Sequence, residues 1–462
     1  MTLIKSISGI RGTIGGNVGD NLTPIDAVKF ASAYGTWIKQ QRDKDSYRVV
    51  VGRDARISGE MIQNLVMNTL VGLGIHVIDL GLSTTPTVEV AVPMEHADGG
   101  IILTASHNPK QWNALKLLDA KGEFLNGEEG AKILDIAESN DMQFADVDSL
   151  GKITVNDAYI DLHIDEVLDM DLVNVEAIKK ANFKVVVDGV NSTGGIAIPL
   201  LLERLGVHPV KLYCEPNGQF PHNPEPLKEH LTDLSKAVVK EHADFGIVVD
   251  PDVDRLAFMD EKGEMFGEEY TLVACADYVL SQTPGNTVSN MSSTRALRDI
   301  TEKHGGTYEA SAVGEVNVVN LMKKNNAIIG GEGNGGIIYP ELHYGRDALV
   351  GVALFLSLLA EKKMDVSDLR ASYPNYFMSK KKIQLTPGLD VDGILNAMET
   401  KYAHENLTTI DGVKIDFADS WVHLRKSNTE PIIRIYTEAP SQLKADELAN
   451  RIISEIKAIA NI

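Results

Sequence analysis

Again and again in this chain, a short apolar run stops abruptly in a loop of small polar residues and glycine. Residues 101–103 (IIL) run into TASHNP, residues 184–187 (KVVV) into DGVNSTGG, residues 245–249 into DPDVDR, and residues 327–329 into GGEGNGG. Helical patterns separate these runs, as at 24–38, where Thr23 is an N-cap and Pro24 suits the first helical position. Short buried strands alternating with helices predict successive α/β units, with chemistry on the loops at the strand ends. From about Tyr373 the alternation changes to an α+β pattern. The expected fold is α/β: three related mixed α/β sandwich domains plus a C-terminal α+β domain, around a central cleft. The expected bounds are 1–150, 151–255, 256–368 and 369–462, with 126–172 read as helical and acidic around a polar joint at 141–150.

The 462 residues allow three or four domains, and an apolar fraction of 44% lets each bury a core. A net charge of -21 argues against a nucleic-acid partner and against an anionic membrane surface. Arg and Lys gathered in glycine-rich loops of so acidic a chain then call for a local anion, such as a phosphorylated small molecule. Two cysteines without metal spacing, Cys214 and Cys275, fit a reducing compartment. With no apolar run of membrane-spanning length and no signal-like start, the expected location is cytoplasmic. Nothing in the sequence sets the oligomeric state.

Asn108-Pro109 disfavours an immediate helix, so Ser106 is expected on a tight, exposed turn, as a nucleophile or phosphate carrier beside His107. Asp250, Asp252 and Asp254, spaced i, i+2, i+4, point to one face if the backbone is extended. Three carboxylates on one face need a cation, and all-oxygen ligands favour Mg²⁺. An EF-hand is rejected because Arg255 stands where its turn requires glycine. A phosphatase using Asp250 as nucleophile stays open, as does a solvated acidic turn. Gly331 to Gly336 match a dinucleotide fingerprint, but the strand-like 337–340 follows instead of a helix. Those glycines instead free the backbone so that Glu332 and Asn334 can reach a polyol. Arg425, Ser427, Asn428, Thr429 and Arg434, within RKSNTEPIIR, make a phosphate clamp.

In this order and at these separations the four loops resemble those of the α-D-phosphohexomutase superfamily over essentially the whole chain. TASHNP is similar to its phosphoserine loop, DPDVDR to its magnesium loop, GGEGNGG to its sugar loop and RKSNTEP to its phosphate loop. GIRG, GRDARISG and FPHNPEP also match. GEGNGG and SNTEP resemble the archaeal-type branch, many of whose members resemble phosphoglucosamine mutases.

The resemblance implies a phosphosugar mutase that works through a phosphorylated Ser106 and a sugar 1,6-bisphosphate, which also serves as activator. Mg²⁺ would be held by Asp250, Asp252, Asp254 and the phosphoserine. Lys116 and Arg11 would take acid–base and electrostatic roles, and His107 would shape the loop. Glu332, Asn334, Glu315 and Arg255 would serve the sugar, and the clamp its distal phosphate. The expected substrate is a phosphosugar, glucosamine phosphate first and mannose or glucose phosphate second. Departures from the pattern are NALK for NG-x-K, the loss of both glycines from the metal loop, and Gly336 where relatives often have His.

Overall fold

The computed structural model describes residues 2–6, 9–384, 390–426 and 432–460. Among these, four sheets follow one another along the chain. The first has seven strands, in the order Ile4–Ser6, Gly9–Thr13, Trp112–Leu118, Gly99–Leu103, Tyr47–Arg53, Ile75–Leu82, Ile153–Val155. Gly99–Leu103 is buried along its whole length, as its unbroken apolar run requires of a central strand. It lies parallel to Tyr47–Arg53, and Trp112–Leu118 returns antiparallel beside it.

The second sheet is ordered Leu256–Met259, Phe245–Val249, Lys184–Asp188, His208–Leu212, and the third Tyr308–Ser311, Asn286–Asn290, Ala327–Glu332, Gly336–Ile338. Both repeat one plan, parallel strands closed by a single antiparallel return. The Ser106 loop, the DPDVDR loop and the EGNG loop are therefore equivalent connections in three units, each leading from a parallel strand to its antiparallel return. The fourth sheet is wholly antiparallel, Phe377–Gln384, Ile432–Ala439, Trp421–Lys426, Val413–Asp416, Asn406–Thr408.

Helix Ala348–Lys362 is apolar on every side and buried from Ala348 to Ala360, the pattern of a helix enclosed by protein. It joins the second and third units into one core, where Phe355 stacks on Phe258 with ring centroids 3.7 Å apart. Among the described residues no helix is long and apolar enough to cross a membrane.

Three local expectations change. Residues 126–172 are not helical throughout: Ile153–Val155 is an edge strand of the first sheet, parallel to Ile75–Leu82 and past the bound at 150. Its side chains are all exposed, so no alternation announced it. Leu256–Met259 pairs with Phe245–Val249, so the second sheet runs past the bound at 255. Helix Val391–Lys401, capped by Asp390, was not anticipated because Gly393 and a short apolar face weaken its signal.

Candidate active site

The loops converge on a cleft of about 910 Å³ lined by all four domains. Ser106 forms part of its floor, but it is not exposed as expected: its exposure is 7% and its φ is +49°. A buried ion pair holds this turn. Asp54 accepts from Arg56 Nε at 2.9 Å and from Thr104 Oγ1 at 2.7 Å, and Thr104 Oγ1 accepts from Ser106 N at 3.0 Å. The Arg56 guanidinium then donates to the carbonyls of Ser106, Asn108 (2.7 Å), Pro109 (2.8 Å) and Trp112 (3.1 Å). GRDARISG is thus a clamp for the serine loop, a role the sequence alone did not disclose.

Asp250, Asp252 and Asp254 lie just beneath, all at 0% exposure, with their ligand oxygens within 4.8 Å of one another. A tight turn brings them together, not strand alternation: Val253 N donates to Asp250 O, and Val253 has φ +65°. A valine there is strained by about 1–2 kcal/mol. Ser192 and Thr193 hydroxyls brace the turn on Pro251 O at 2.7 and 3.0 Å.

Asp250 Oδ2 accepts the Ser106 hydroxyl at 2.7 Å. Asp252 Oδ2 accepts from Lys116 Nζ (2.7 Å) and Thr85 Oγ1 (2.6 Å), and Asp254 Oδ2 from Arg346 (2.7 Å) and Lys116 (3.3 Å). The other oxygens of Asp252 and Asp254 are buried without a hydrogen-bond partner. Such oxygens are costly unless a cation takes them, so the donor set fits a hard divalent ion. Burial, together with Asp254 and Asp252, pushes the Asp250 carboxyl well up. Burial opposes charge on Asp252 too, but Lys116 outweighs it and holds that carboxyl low. Burial would likewise lower the Lys116 ammonium, yet Asp252 and Asp254 hold it above its ordinary value. Lys116 is thus tied to two of the three acids at the floor of the cleft.

His107 Nδ1 is 3.4 Å from Ser106 Oγ, and burial beside Arg255 keeps its imidazole neutral. Arg11 reaches Asn108 Oδ1 at 3.2 Å, and Arg255 pairs with Glu225 of the FPHNPEP loop at 3.1 Å. On the third domain, Glu332 Oε1 accepts from Asn290 Nδ2 at 2.8 Å and Oε2 from Asn334 Nδ2 at 3.4 Å.

Arg346 was not anticipated, although it links three of the sites. Its guanidinium pairs with Asp254, with Glu315 at 3.0 Å and with Glu332 at 3.2 Å. A Cβ on Gly336 would stand 2.3 Å from Arg346 Cδ, so the glycine makes room for the arginine. Half-buried Glu315, expected to meet the sugar, is already held by Arg346. Asn290 and His423 also line the cleft and were not anticipated; burial lowers His423 to about 4.

Arg425 and Arg434 stand directly opposite each other on neighbouring strands, both lining the cleft. Like charges facing across a ladder are unfavourable without an anion. Asp411 takes one side of Arg425 at 2.8 Å. Ser427, Asn428 and Thr429 lie outside the described residues.

Comparison with known proteins agrees with this assembly. Four family models match in succession: phosphoglucomutase/phosphomannomutase alpha/beta/alpha domains I, II and III over residues 3–144, 159–263 and 267–376, and its C-terminal domain over 377–455. The chain belongs to this family. It is a phosphosugar mutase. It is 37% identical over 446 residues to a phosphoglucomutase/phosphomannomutase of Thermococcus kodakarensis, spanning 94% of this chain and 96% of that one. Identity to a phosphoglucosamine/phosphogalactosamine mutase of Sulfurisphaera tokodaii is 32% over 461 residues, spanning 98% and 97%. A crystal structure of a family protein from Burkholderia thailandensis superposes with a TM-score of 0.85 at 25% identity, covering 99% of this chain and 98% of that one.

Proposed function

We propose that this mutase interconverts glucosamine 6-phosphate and glucosamine 1-phosphate through a phosphorylated Ser106. One observation carries the mechanism: the Ser106 hydroxyl bonds Asp250 at the cleft floor, directly above two unpartnered carboxylate oxygens. Asp250 itself is buried beneath the serine, which disfavours an acyl-phosphate phosphatase.

Asp250, Asp252, Asp254 and the Ser106 phosphate would hold Mg²⁺, which when bound supplies charge neutralisation for the phosphoryl group in transit. In the forward step the bond between Ser106 Oγ and phosphorus breaks and a bond from phosphorus to the free sugar hydroxyl forms. The proton of that hydroxyl ends on Ser106 Oγ. The resulting bisphosphate turns over in the cleft, and its other phosphate returns to the serine by the reverse exchange. Lys116, paired with Asp252 and Asp254, and Arg11 face the transferring group and offset its charge. His107, neutral, supports the loop.

Glu332 and Asn334 take sugar hydroxyls in both orientations, Arg255 steadies the bound sugar phosphate, and Arg425, Ser427, Asn428, Thr429 and Arg434 grip the phosphate that does not react. The amino sugar is favoured because Glu315 and Glu332 share the single Arg346 guanidinium beside the sugar loop, and the formal negative charge left over suits a cationic amine better than a hydroxyl. The name of the Sulfurisphaera relative points the same way. Glucose or mannose phosphate is the second reading, favoured by the name of the Thermococcus relative at 37% identity.

The test is kcat/KM for glucosamine, glucose and mannose 1-phosphates, with Mg²⁺ and a sugar 1,6-bisphosphate as activator. Preference for glucosamine 1-phosphate upholds the assignment, and preference for a neutral sugar overturns it. Phosphopeptide mapping that finds no phosphate on Ser106 after incubation with bisphosphate overturns the mechanism.

A further inference from the structure

Behind the cleft a second polar cluster is buried that the phosphoryl chemistry does not use. It draws on three domains: Glu89 on helix Thr85–Met94, His163 on helix Tyr159–Leu168, and His343 and Asp347 in the loop leading to helix Ala348–Lys362. Both imidazoles aim Nε2 at the same oxygen, Asp347 Oδ2, His163 at 2.9 Å and His343 at 3.1 Å. The other oxygen, Oδ1, is occupied as the cap of helix Ala348–Lys362, accepting from Leu349 N at 2.8 Å and Val350 N at 3.3 Å. The outward nitrogens also face oxygens: His163 Nδ1 meets Thr87 Oγ1 at 3.0 Å, and His343 Nδ1 meets Glu89 Oε2 at 3.4 Å.

His163 and Asp347 are fully buried, and Glu89 is 1% exposed. Neither Glu89 oxygen has a hydrogen-bond partner, nor has His343 Nδ1. Only a glycine at 345 lets the carboxylate approach, since a Cβ there would fall 1.9 Å from Glu89 Oε2. A neutral imidazole has one N–H to give. If His343 gives it to Asp347, a lone pair faces Glu89; if to Glu89, a lone pair faces Asp347. A cation at Nε2, or an extra proton on Glu89 or on the ring, removes the conflict; with the cation the ring keeps its proton on Nδ1 and donates it to Glu89.

We propose that His163, His343 and Asp347 form a structural site for a divalent cation of the imidazole-preferring class, such as Zn²⁺, which fastens the second and third domains together, with Glu89 of the first domain behind it. The three ligand atoms lie within 4.8 Å of one another. Tetrahedral bonds of about 2.0–2.2 Å put ligand atoms about 3.3 Å apart, near the 2.9 and 3.1 Å found. Water completes the fourth position. Glu89 and Thr87 orient the two rings through their outer nitrogens, as hydrogen-bond acceptors behind metal-bound histidines do. Two nitrogens and one carboxylate oxygen select against Mg²⁺, so this site and the acid triad draw on different ions.

The test is titration of the chelator-stripped full-length protein with Co²⁺, read by the visible absorption of four-coordinate cobalt, and with Zn²⁺, read by the shift in Tm. With excess Mg²⁺ present to fill the acid triad, one four-coordinate Co²⁺ per chain is expected, displaced by Zn²⁺, with Zn²⁺ raising Tm. His343→Gln should abolish the cobalt spectrum, and Glu89→Gln, which keeps all three ligands, should weaken binding ~10–100-fold. Asp250→Asn should leave it unchanged. Absence of stoichiometric binding to the wild type means that protons alone fill the cluster and overturns the proposal. Binding that survives Glu89→Gln undiminished, or that disappears in Asp250→Asn, places the ion elsewhere and overturns it equally. The Glu89→Gln and Asp250→Asn arms decide the matter even if His343→Gln does not fold.

Discussion

Replacing Arg56 by Met tests whether the serine loop is held from below. The side chain is fully buried, paired with a fully buried Asp54, and it donates to four loop carbonyls. Removing one partner of a buried pair costs about 3–5 kcal/mol. Asp54 keeps its bonds from Thr104 Oγ1 and from the main-chain N of residue 56, which places this case toward the lower end, about 3 kcal/mol. A loop displaced by an ångström adds a loss in kcat of ~100-fold. Arg56→Lys restores the charge but not the fork that reaches four carbonyls, so it should recover stability more than rate.

The pH dependence carries the sign. Burial already raises the Asp54 carboxyl, with Arg56 pulling it back; without the guanidinium it rises further. A carboxyl raised on folding stabilises below its unfolded pKa of about 3.9 and loses that contribution as pH climbs through the folded value. The gap between variant and wild type should therefore widen from pH 5 to pH 8. Calorimetric Tm across that range and kcat at pH 7.5 are the assays. A variant within 1 kcal/mol of wild type, a gap independent of pH, or full activity would each refute the reasoning.

Asp250→Asn should reduce kcat by at least ~100-fold by weakening charge neutralisation at the serine, measured with saturating Mg²⁺. Arg425→Met should raise KM by roughly 10–100-fold, the loss of a charged hydrogen bond, while Ser106 still accepts phosphate from bisphosphate in a labelling assay. Burial, partly offset by Lys380, pushes the Glu269 carboxyl up to about 8. Wild-type Tm should accordingly fall from pH 6.5 to pH 9, as the proton that favours the fold is lost, and Glu269→Gln should flatten that slope. Arg346→Met, which frees Glu315 and Glu332 together, should change the ratio of kcat/KM between amino and neutral sugars, read by paired assays on both.

The legible parts of this molecule were those written in consecutive residues. A strand that stops in TASHNP marks the Ser106 loop because burial and turn formation are both local. The acid triad was legible as a cluster, yet its geometry was not, since i, i+2, i+4 spacing cannot distinguish an extended strand from the turn built at Val253. Arg346 was invisible for a different reason: its three carboxylate partners come from residues 254, 315 and 332, and nothing adjacent to it announces them. Arg56 sits in a motif that could be seen, but the carbonyls it satisfies lie fifty residues away. Strand Ile153–Val155 escaped because it is held only by its main chain at a sheet edge, where side chains carry no pattern.

That edge strand has a consequence for how the gene can be cut and rejoined. The polar joint at 141–150 looks like the natural seam between the first two domains, yet the chain crosses it, lends three residues back to the first sheet, and only then moves on to the second. A chimera spliced at residue 150 would transplant a first domain missing its own hem and leave Ile75–Leu82 with a raw edge open to other chains. Splicing between Val155 and Tyr159 keeps the hem with its cloth.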